Sequence, residues 1–590
     1  MSFGDNPIVF LSKKLWQFSP GNRGNIILFF SLSVIAQLIA FIEPLVLAKI
    51  LNTIQLSGIT ETTVKLIIFL LFVHLFLRVA FWAFHGPSRV IEQKNAYMAE
   101  VNYKKYLIDG VMALPAQWHS DHHSGNTIDK IEKSSEGLYT FSSSTFEIIG
   151  TLVSLVSSYF ALIYFNLHAS YLVGFIFIMG VIVISRYDTK LQKYWKNIYL
   201  KDNKASAKIF DTISNITTVI ILRIEHLLSK EIFKKMMVAY PVYKKSSTLN
   251  ETKWFVVSVF SSIMYITVIG SYVLLGYYSE SIILVGTVTI LFEYVRRVGV
   301  VFNRFAYKYG QIVRQKTAVE NVEQISKLFS EKENIKEIHL RNKWETWCIN
   351  NLSFSYHGKK SGNLHMKDVS LTFQRGEKIA LIGDSGSGKT TFLKLLRGLY
   401  TPQSMTMTLD DKPIKDGLDA VSNNIALIPQ DPEIFESSIR HNITLGIPHE
   451  DATLRKFMKA ACFDTVVKKL PKKLNSKVFE RGVSLSGGEK QRLALARGLL
   501  ASVNKPIMLL DEPTSSVDIR NESNIYRNIF KMYKKKTIIS TIHRLHLLHH
   551  FDKIYLFHRG KIVASGTLRE LKRDSKAFQR IWDKYHKQKK

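Results

Sequence analysis

A glycine-rich segment in the second half of the chain has the residue types and spacing of a phosphate-binding loop. It consists of Gly383, Asp384, Ser385, Gly386, Ser387, Gly388, Lys389 and Thr390. It directly follows the apolar run 378–382, which we predict to be a buried strand. In this arrangement backbone N–H groups surround phosphate, Lys389 reaches the β- and γ-phosphates, and Thr390 can ligate Mg²⁺. The segment therefore predicts a nucleotide site.

Two adjacent carboxylates follow a second apolar run. The run 506–510 leads into Asp511 and Glu512, so both acids come at the end of a predicted strand. Asp511 would hold Mg²⁺, and Glu512 would orient or deprotonate an attacking water. The alternative is an acidic pair that merely ends an ordinary strand, and the phosphate loop upstream disfavours it. Together the two motifs predict hydrolysis of a nucleoside triphosphate.

A third motif lies between the first two. Positions 485–492 read Leu-Ser-Gly-Gly-Glu-Lys-Gln-Arg, which resembles the signature that distinguishes ATP-binding cassette (ABC) proteins from other phosphate-loop ATPases. Four further residues occur in the order of that family, namely Tyr356, Gln430, Asp518 and His543. Each is weak evidence alone, because a lone histidine or glutamine is usually structural. Taken in order, they make the resemblance specific.

The resemblance implies ATP and Mg²⁺ as cofactors, with roles for particular residues. Tyr356 would stack on adenine, and His543 would be the switch histidine. The catalytic residues implied are Glu512, His543 and Gln430. The metal-binding residues implied are Thr390, Gln430 and Asp511. The nucleotide-binding residues implied are Tyr356, Gly383, Asp384, Ser385, Gly386, Ser387, Gly388, Lys389, Thr390, Thr391, Ser486, Gly487, Gly488, Glu489 and Asp518.

The signature also bears on assembly. In the family, the signature of one subunit covers ATP bound to the other, so hydrolysis requires two cassettes, and this chain carries one. The resemblance thus implies a second half-transporter subunit, with two ATP sites at the interface. Glu512, His543 and the signature all follow the family pattern, which favours a homodimer and leaves a heterodimer open.

The composition combines a membrane part with a water-exposed part. Hydrophobic residues make up 46% of the 590 residues, charged residues make up 22%, and the formal net charge is +32. Apolar runs in the first half approach the roughly 20 residues that cross a bilayer. We predict six spans, at about residues 26–50, 66–84, 148–165, 167–184, 254–278 and 281–300. The fourth and sixth have the shortest apolar cores, and a buried core helix is the alternative for either.

Basic residues alternate between the two sides of the predicted spans. Residues 51–63, 166–170 and 277–281 contain no Lys or Arg, whereas residues 187–252 are rich in both. The positive-inside rule then places the N-terminus and the ATPase domain in the cytoplasm. Contact with anionic membrane lipids explains the net charge, so nucleic acid is not needed as a partner.

The compartment is predicted from two further features. The chain has only two cysteines, Cys348 and Cys462, which cannot form a disulfide framework and indicate a reducing compartment. The first span is too long for a signal-peptide core, and we interpret it as an uncleaved anchor. A half-transporter without an organelle presequence looks bacterial, so the expected location is the cell (cytoplasmic/inner) membrane.

The predicted fold is a membrane α-helical bundle of six transmembrane helices with long cytoplasmic extensions, followed by an α/β P-loop ATPase domain. We predict a transmembrane domain over residues 1–313, a linker helix over 314–343 and an ABC nucleotide-binding domain over 344–590. The inward loops, at about 86–145 and 187–253, are expected to be helical, because structureless loops of that length are uncommon.

Two segments of these inward loops, residues 114–125 and 210–219, fall where ABC exporters have their coupling helices. The first contains His119, His122 and His123, which offer metal ligation as an alternative. That alternative is the weaker one, because His122 and His123 are adjacent and would point apart on a helix.

The order of the domains resembles the exporter branch of the ABC family over nearly the whole chain. It implies ATP-driven export or flipping of a lipid, drug-like or other amphipathic substrate by a dimer of half-transporters. One alternative is a narrower export of peptides or of thiol or metal conjugates. Another is a membrane-tethered ATPase that regulates a partner. A soluble ABC protein of DNA repair or translation would not explain the spans.

Charged residues inside the predicted spans are candidates for the cargo route, because such residues are costly in lipid and usually face a bundle interior. They are Glu43 in the first span, Arg78 in the second and Glu293 in the sixth. His74 lies one turn from Arg78 and would share its face. The alternative is a buried ion pair that only fixes helix register, with Pro44 beside Glu43 marking a kink.

Overall fold

A computed structural model describes residues 6–122, 124–329, 338–340, 344–356, 364–414, 417–431, 433–478 and 485–587, with only the backbone of 302, 303, 305, 306, 586 and 587. The chain divides into two compact units. The helical unit comprises residues 1–113 and 123–329, and the ATPase unit comprises residues 114–122 and 330–590.

The described residues of the first half form α-helices joined by short turns. Its helices are α1 (Pro7–Gln17), α2 (Arg23–Ser57), α3 (Glu61–Met112), α4 (Ala116–Asp121), α5 (Ser124–Ser143), α6 (Thr145–Phe165), α7 (Leu167–Ser214), α8 (Ile216–Leu222), α9 (Glu225–Met237), α10 (Tyr240–Tyr278) and α11 (Val285–Ser326). Of these, α4 lies in the residues that group with the ATPase unit.

Among the described residues, five helical stretches are long and apolar enough to cross a membrane. They contain the first five predicted spans, in α2, α3, α6, α7 and α10. Residues 285–300 of the sixth predicted span lie in α11, where Glu293, Arg296 and Arg297 interrupt the apolar run, and residues 281–284 precede that helix. The structure therefore supports five spans by length and composition, and the sixth stays a prediction.

The surface of α3 has the character expected of a helix in lipid. Phe69, Phe72 and Phe76 are each more than 60% exposed in the isolated chain. Large exposed apolar side chains in such a row are unfavourable in water and favourable against hydrocarbon.

The connections from α2 to α3 and from α6 to α7 are short, and a residue within each connection caps the helix that follows. Asn166 separates α6 from α7, and its side-chain oxygen accepts a hydrogen bond from the Ala169 N–H at 3.1 Å. Thr60 caps α3 two residues after Gly58, which ends α2 with a positive φ of 62°. These caps satisfy N–H groups that a helix start leaves without partners.

The predicted helical character of the long inward loops is confirmed. Residues 86–145 lie mainly in α3, α4 and α5, and residues 187–253 lie mainly in α7 to α10. The coupling role of residues 114–125 and 210–219 stays a prediction. The predicted linker over 314–343 begins inside α11, which ends at Ser326, and its residues 330–337 and 341–343 lie outside the described part.

The second half is an α/β domain. Its strands are β1 (Thr346–Phe354), β2 (Met366–Gln374), β3 (Lys378–Ile382), β4 (Ser404–Leu409), β5 (Lys412–Pro413), β6 (Ile425–Ile428), β7 (Ser437–Ser438), β8 (Lys477–Val478), β9 (Ile507–Leu510), β10 (Thr537–Thr541), β11 (Lys553–His558) and β12 (Lys561–Gly566). Its helices are α12 (Lys389–Leu396), α13 (Ile439–Thr444), α14 (Asp451–Ala460), α15 (Asp464–Lys469), α16 (Gly487–Ala501), α17 (Ile519–Met532), α18 (Leu568–Asp574) and α19 (Lys576–Lys587).

One mostly parallel sheet positions the predicted site. Its strand order is β12-β11-β3-β10-β9-β6, with β12 antiparallel to β11 and the other pairs parallel. All five residues of β3 and all four of β9 are buried, which agrees with the continuous apolar runs that the sequence shows there. The carboxyl ends of β3, β6, β9 and β10 therefore meet at one edge, where ligands bind in open α/β sheets.

Candidate functional site

The phosphate loop leaves the end of β3 and enters α12. Gly383, Gly386 and Gly388 have φ of 144°, 77° and 105°, values that side chains with a Cβ rarely adopt. A Cβ on Gly383 would also collide with the Phe557 carbonyl oxygen on β11. The hydroxyl of Ser387 is buried and has no hydrogen-bond partner among the described residues. A tight backbone curve with an unsatisfied hydroxyl is suited to phosphate oxygens.

The first two residues of α12 bring a cation and a hydroxyl to this edge. Lys389 is 5% exposed, and its ammonium donates to the carbonyls of Gly383 and Asp384 at 2.8 and 3.0 Å. Burial lowers the pKa of Lys389, and the nearby carboxylates of Glu512, Asp511 and Asp384 oppose that effect.

Asp511 at the end of β9 faces α12. Its Oδ1 accepts hydrogen bonds from the hydroxyls of Thr390 and Thr541, both at 3.0 Å. Burial raises the pKa of Asp511, and these two hydroxyl contacts partly offset the effect. A hydroxyl and a carboxylate that converge in this way supply hard oxygen ligands, which fit Mg²⁺.

Glu512 lies between two elements that sequence reasoning connected to it only through the resemblance. Gln430 Nε2 donates to Glu512 Oε2 at 3.0 Å, and His543 Nε2 lies 2.5 Å from Glu512 Oε1. The Glu512 backbone has a positive φ of 47°, uncommon for a residue other than glycine, and its N–H donates to Thr541 Oγ1 at 2.7 Å. The turn after β9 thus points this carboxylate at Gln430 and His543.

Tyr356 follows β1 and is half-buried. Its hydroxyl donates to Thr391 Oγ1 at 3.1 Å, and its ring meets the rings of Phe354, His365 and Tyr400 edge to face. The aromatic residue and the start of α12 are therefore in direct contact.

The signature residues start α16. Ser486 and Glu489 form a reciprocal capping box, in which the Ser486 N–H donates to Glu489 Oε2 at 2.8 Å and the Glu489 N–H donates to Ser486 Oγ at 3.3 Å. A Cβ on Gly488 would lie 2.6 Å from the Ser516 carbonyl oxygen, so glycine permits this close approach. Asp518 caps α17 in turn.

The predicted residues therefore form two groups within the chain. One group combines the phosphate loop, Gln430, Asp511, Glu512 and His543. The other combines the signature with the segment that ends at Asp518. Among the described residues, no hydrogen bond or ion pair joins Ser486–Glu489 to Gly383–Thr391 of the same chain.

Sequence reasoning missed three polar side chains at this edge. Thr541 contacts both Asp511 and the backbone of Glu512. Gln491 donates to Ser515 Oγ at 2.7 Å and to the Gln430 carbonyl at 3.3 Å. Glu522 is 4% exposed and binds Arg544. A sequence signal existed for Thr541, which lies two residues before His543, and for Gln491, which lies inside the signature.

Of the histidines in the first inward loop, the described residues His119 and His122 belong to no group that is placed to hold a metal ion. His122 Nδ1 lies 2.8 Å from the Trp118 carbonyl, and the two rings stack at 4.3 Å. His123 lies outside the described residues. Elsewhere in the described chain, no group of three His, Cys, Asp or Glu side chains is placed to hold a metal ion.

The charged residues of the predicted spans form two clusters. Glu43 lies 3.5 Å from both His74 Nε2 and Arg78 Nη1, between α2 and α3. Glu293 on α11 pairs with Arg296 at 2.6 Å and with Arg297 at 3.4 Å. Arg78 thus neutralises Glu43 and does not reach Glu293 at ion-pair distance.

Comparisons with known proteins agree with both halves. A family model described as the ABC transporter transmembrane region matches residues 26–296, and a family model described as ABC transporter matches residues 366–515. The mitochondrial iron–sulfur clusters transporter ATM1 of Yarrowia lipolytica is 27% identical over 515 residues, which is 83% of this chain and 70% of that protein. A candidate multidrug export ATP-binding/permease protein of Staphylococcus aureus (strain NCTC 8325 / PS 47) is 37% identical over 236 residues, or 40% of each chain.

A solved structure shares the fold. The structure of a bacterial Atm1-family ABC exporter with ATP bound superposes with a TM-score of 0.82, covering 95% of this chain and 99% of that one, at 20% identity.

The chain belongs to the ABC transporter family, as an exporter half-transporter in which a transmembrane domain is fused to a C-terminal nucleotide-binding domain. It is a multi-pass membrane protein that binds ATP, couples ATP hydrolysis to export across a membrane, and works with a second subunit.

Proposed function

We propose that two copies of this chain form an exporter of amphipathic molecules, with Glu512, His543 and Gln430 as the catalytic residues of each ATP site. The observation that carries the proposal is the position of Glu512, whose two carboxylate oxygens contact Gln430 and His543. The proposed domains are residues 1–313, 314–343 and 344–590.

The proposed chemistry begins with the Glu512 carboxylate. An ionised carboxylate accepts the proton of an attacking water, and the His543 ring beside it holds the carboxylate in place. Lys389, Ser387 and the glycines of the phosphate loop would bind the triphosphate, and Tyr356 would stack on adenine. Mg²⁺, held by Thr390, Asp511 and Gln430, would neutralise charge on the β- and γ-phosphates.

The second subunit would complete each site. Ser486, Gly487, Gly488 and Glu489 make no hydrogen bond or ion pair with the phosphate loop of their own chain within the described residues. The start of a helix is a natural anion site, because its backbone N–H groups point along the helix axis toward a ligand. This supports a composite site, in which the signature of one copy covers ATP on the other.

Mixed dimers test this arrangement. We expect dimers of one Lys389→Ala chain and one Ser486→Ala chain to retain at most one composite site, since both changes fall on the same site. A dimer that carries both changes on one chain would lose both sites. If the dimer with both changes on one chain hydrolyses ATP faster than the dimer with one change on each chain, each site lies within a single chain, and the composite arrangement is wrong.

The proposed location is the cytoplasmic membrane of a bacterium, with the N-terminus and the ATPase unit in the cytoplasm. Basic residues in the inward segment 187–252 support that orientation. Carbonate-washed membranes should retain the whole chain, and proteolysis of sealed inside-out vesicles should release the ATPase unit. Protection of that unit in such vesicles would reverse the orientation.

A narrower cargo is a second candidate, because the relative that aligns over most of the chain is named as an iron–sulfur clusters transporter. Under this candidate the cargo is a metal or thiol conjugate. Stimulation of ATPase activity in lipid nanodiscs separates the candidates, with thiol conjugates in one arm and amphipathic drugs or lipids in the other. Stimulation by neither class would remove both.

A further inference from the structure

Glu512 and His543 line a cavity of about 270 Å³. A second set of residues lines the same cavity, namely Thr514, Glu522, Tyr526 and Arg544. The second set belongs to none of the motifs that identify the ATP site, yet it shares a cavity with the residues proposed to activate water.

Glu522 is the carboxylate of that second set, and it is buried, at 4% exposure. Its Oε1 accepts a hydrogen bond from Thr514 Oγ1 at 2.9 Å, and its Oε2 accepts one from Arg544 Nη1 at 3.0 Å. His546 Nε2 also lies 3.6 Å from Oε2. A buried carboxylate with such partners is fixed in position, because losing them would leave a charge in a low-dielectric interior.

The partners of Glu522 come from two segments that carry the proposed chemistry. Thr514 lies two residues after Glu512, and Arg544 directly follows His543. Arg544 Nη1 also donates to the Val517 carbonyl at 3.0 Å, in the turn that leads to Asp518. A single carboxylate on α17 therefore connects the turn after β9, the residue next to the switch histidine, and the segment that starts α17.

We infer that Glu522 is a positioning residue for ATP hydrolysis. Through its contacts with Arg544 and Thr514, it fixes the positions of His543 and Glu512 relative to the turn that leads to Asp518. It does not itself touch the phosphates. Misplacing a catalytic group by about 1 Å can reduce a rate by about a hundredfold. Removing the contacts of Glu522 with Arg544 and Thr514 should therefore lower turnover and leave ATP binding intact. The inference rests on the proposed roles of Glu512 and His543.

The primary test is Glu522→Gln in nanodiscs, with Glu570→Gln as the matched control. Glu570 is a helix-capping carboxylate on α18 that does not line the cavity. We expect kcat to fall about tenfold in Glu522→Gln while KM for ATP changes less than about twofold, and the control to match the parent. A rise in KM at constant kcat, or an unchanged kcat, would overturn the inference.

Two further variants keep the inference testable if Glu522→Gln does not assemble. Thr514→Val removes the hydroxyl contact to Glu522 Oε1 and should lower kcat about threefold at unchanged KM. Arg544→Lys keeps a charge partner for Glu522 and should recover part of the turnover that Arg544→Gln loses. Full parental turnover in both Thr514→Val and Arg544→Gln would contradict the positioning role of Glu522.

Glu512→Gln in the same assay separates this inference from the proposed function. If Glu512→Gln abolishes turnover and Glu522→Gln does not lower it, only the positioning role fails. If Glu512→Gln hydrolyses ATP at the parental rate, the assignment of the site itself fails.

Discussion

The ionised side chains of the ATPase unit and those of the predicted spans are held in different ways. In the ATPase unit, Asp511 is 3% exposed and accepts two hydroxyl hydrogen bonds at 3.0 Å. In the helical unit, Glu43 meets Arg78 at 3.5 Å, and the Arg78 side chain is 60% exposed.

The difference has a physical origin. A carboxylate at the end of a buried strand is oriented by the turn that follows it and by the neighbouring strand, so its partners are largely determined. A charge on a continuous helix is oriented by its rotamer and by whatever faces it, which leaves a long, exposed pair weakly fixed. We therefore expect the chemistry of hydrolysis to be sensitive to single atoms, and the charges of the spans to tolerate change.

The largest expected effect is that of Glu512→Gln. The amide keeps the shape of the side chain but cannot accept the proton of water, so turnover should fall by about 10² to 10³ while ATP binding persists. ATPase assays with a parallel nucleotide-binding measurement check this. Lys389→Ala is the contrasting variant, since it should weaken binding itself. Parental turnover in Glu512→Gln would remove its assigned role.

A structural charge of the ATPase unit gives the next largest effect. Lys378 is 8% exposed, and four carbonyl oxygens lie within hydrogen-bond distance of its three ammonium N–H donors, those of Gly376, Tyr533, Lys534 and Lys536. Lys378→Met would remove the ammonium that these carbonyl oxygens accept hydrogen bonds from. The free energy of unfolding should therefore fall by about 3 kcal/mol.

Thermal unfolding in nanodiscs measures that cost as a drop of roughly 5 to 10 °C in the midpoint of the ATPase unit. Lys531→Met on the exposed face of α17 is the matched control and should leave the midpoint within about 1 °C. Equal midpoints for the two variants would show that buried charges here are no better fixed than exposed ones.

The same lysine predicts a dependence on pH. Burial lowers the pKa of Lys378 to about 8 from an ordinary value of 10.5. Between these values the unfolded chain binds more protons than the folded chain, so this residue makes stability rise as pH increases from 8 to 10.5. Below about pH 8 both states are protonated and it contributes no slope.

The contribution is measured as a difference between proteins. The midpoint of the parent should rise more, or fall less, than that of Lys378→Met over this pH range. Parallel curves for the two proteins would mean that Lys378 keeps an ordinary pKa in the folded chain.

The smallest effect is expected in the predicted spans. Glu43→Gln should leave basal ATPase activity within about twofold of the parent, because Glu43 pairs with His74 and Arg78 and not with the residues proposed to hydrolyse ATP. A change confined to substrate-stimulated activity would support contact with cargo. Failure of Glu43→Gln to assemble in the membrane would show instead that the pair fixes helix register, and the cargo role of Glu43 would be dropped.

The sequence predicts the ATPase fold well because each motif combines a strand with the turn that ends it. The runs before Gly383 and Asp511 are the buried strands β3 and β9, and the parallel sheet brings their carboxyl ends together. The contacts of Gln491 and Glu522 could not be predicted, because each joins segments far apart in the chain and depends on how helices pack on the sheet.

The helical unit was predictable in kind and less so in detail. Apolar length alone predicts the first five spans, and loop length predicts the helical character of the inward segments. It does not decide the sixth span, because Glu293, Arg296 and Arg297 interrupt its hydropathy while their mutual pairing lowers the cost of burying them. It also gives no geometry for cargo, which depends on faces of helices rather than on motifs.

ATP hydrolysis at Glu512, with Gln430 and His543 beside it, should drive export, and an uptake assay tests this. Proteoliposomes that carry the ATPase unit on the outside are incubated with a labelled amphipathic substrate. Uptake in the presence of ATP is then measured for the parent and for Glu512→Gln. We expect ATP-dependent uptake by the parent and uptake reduced about a hundredfold in the variant, in proportion to its ATPase activity. Equal uptake by the two proteins, or parental ATPase activity without uptake of any cargo class tested, would contradict it.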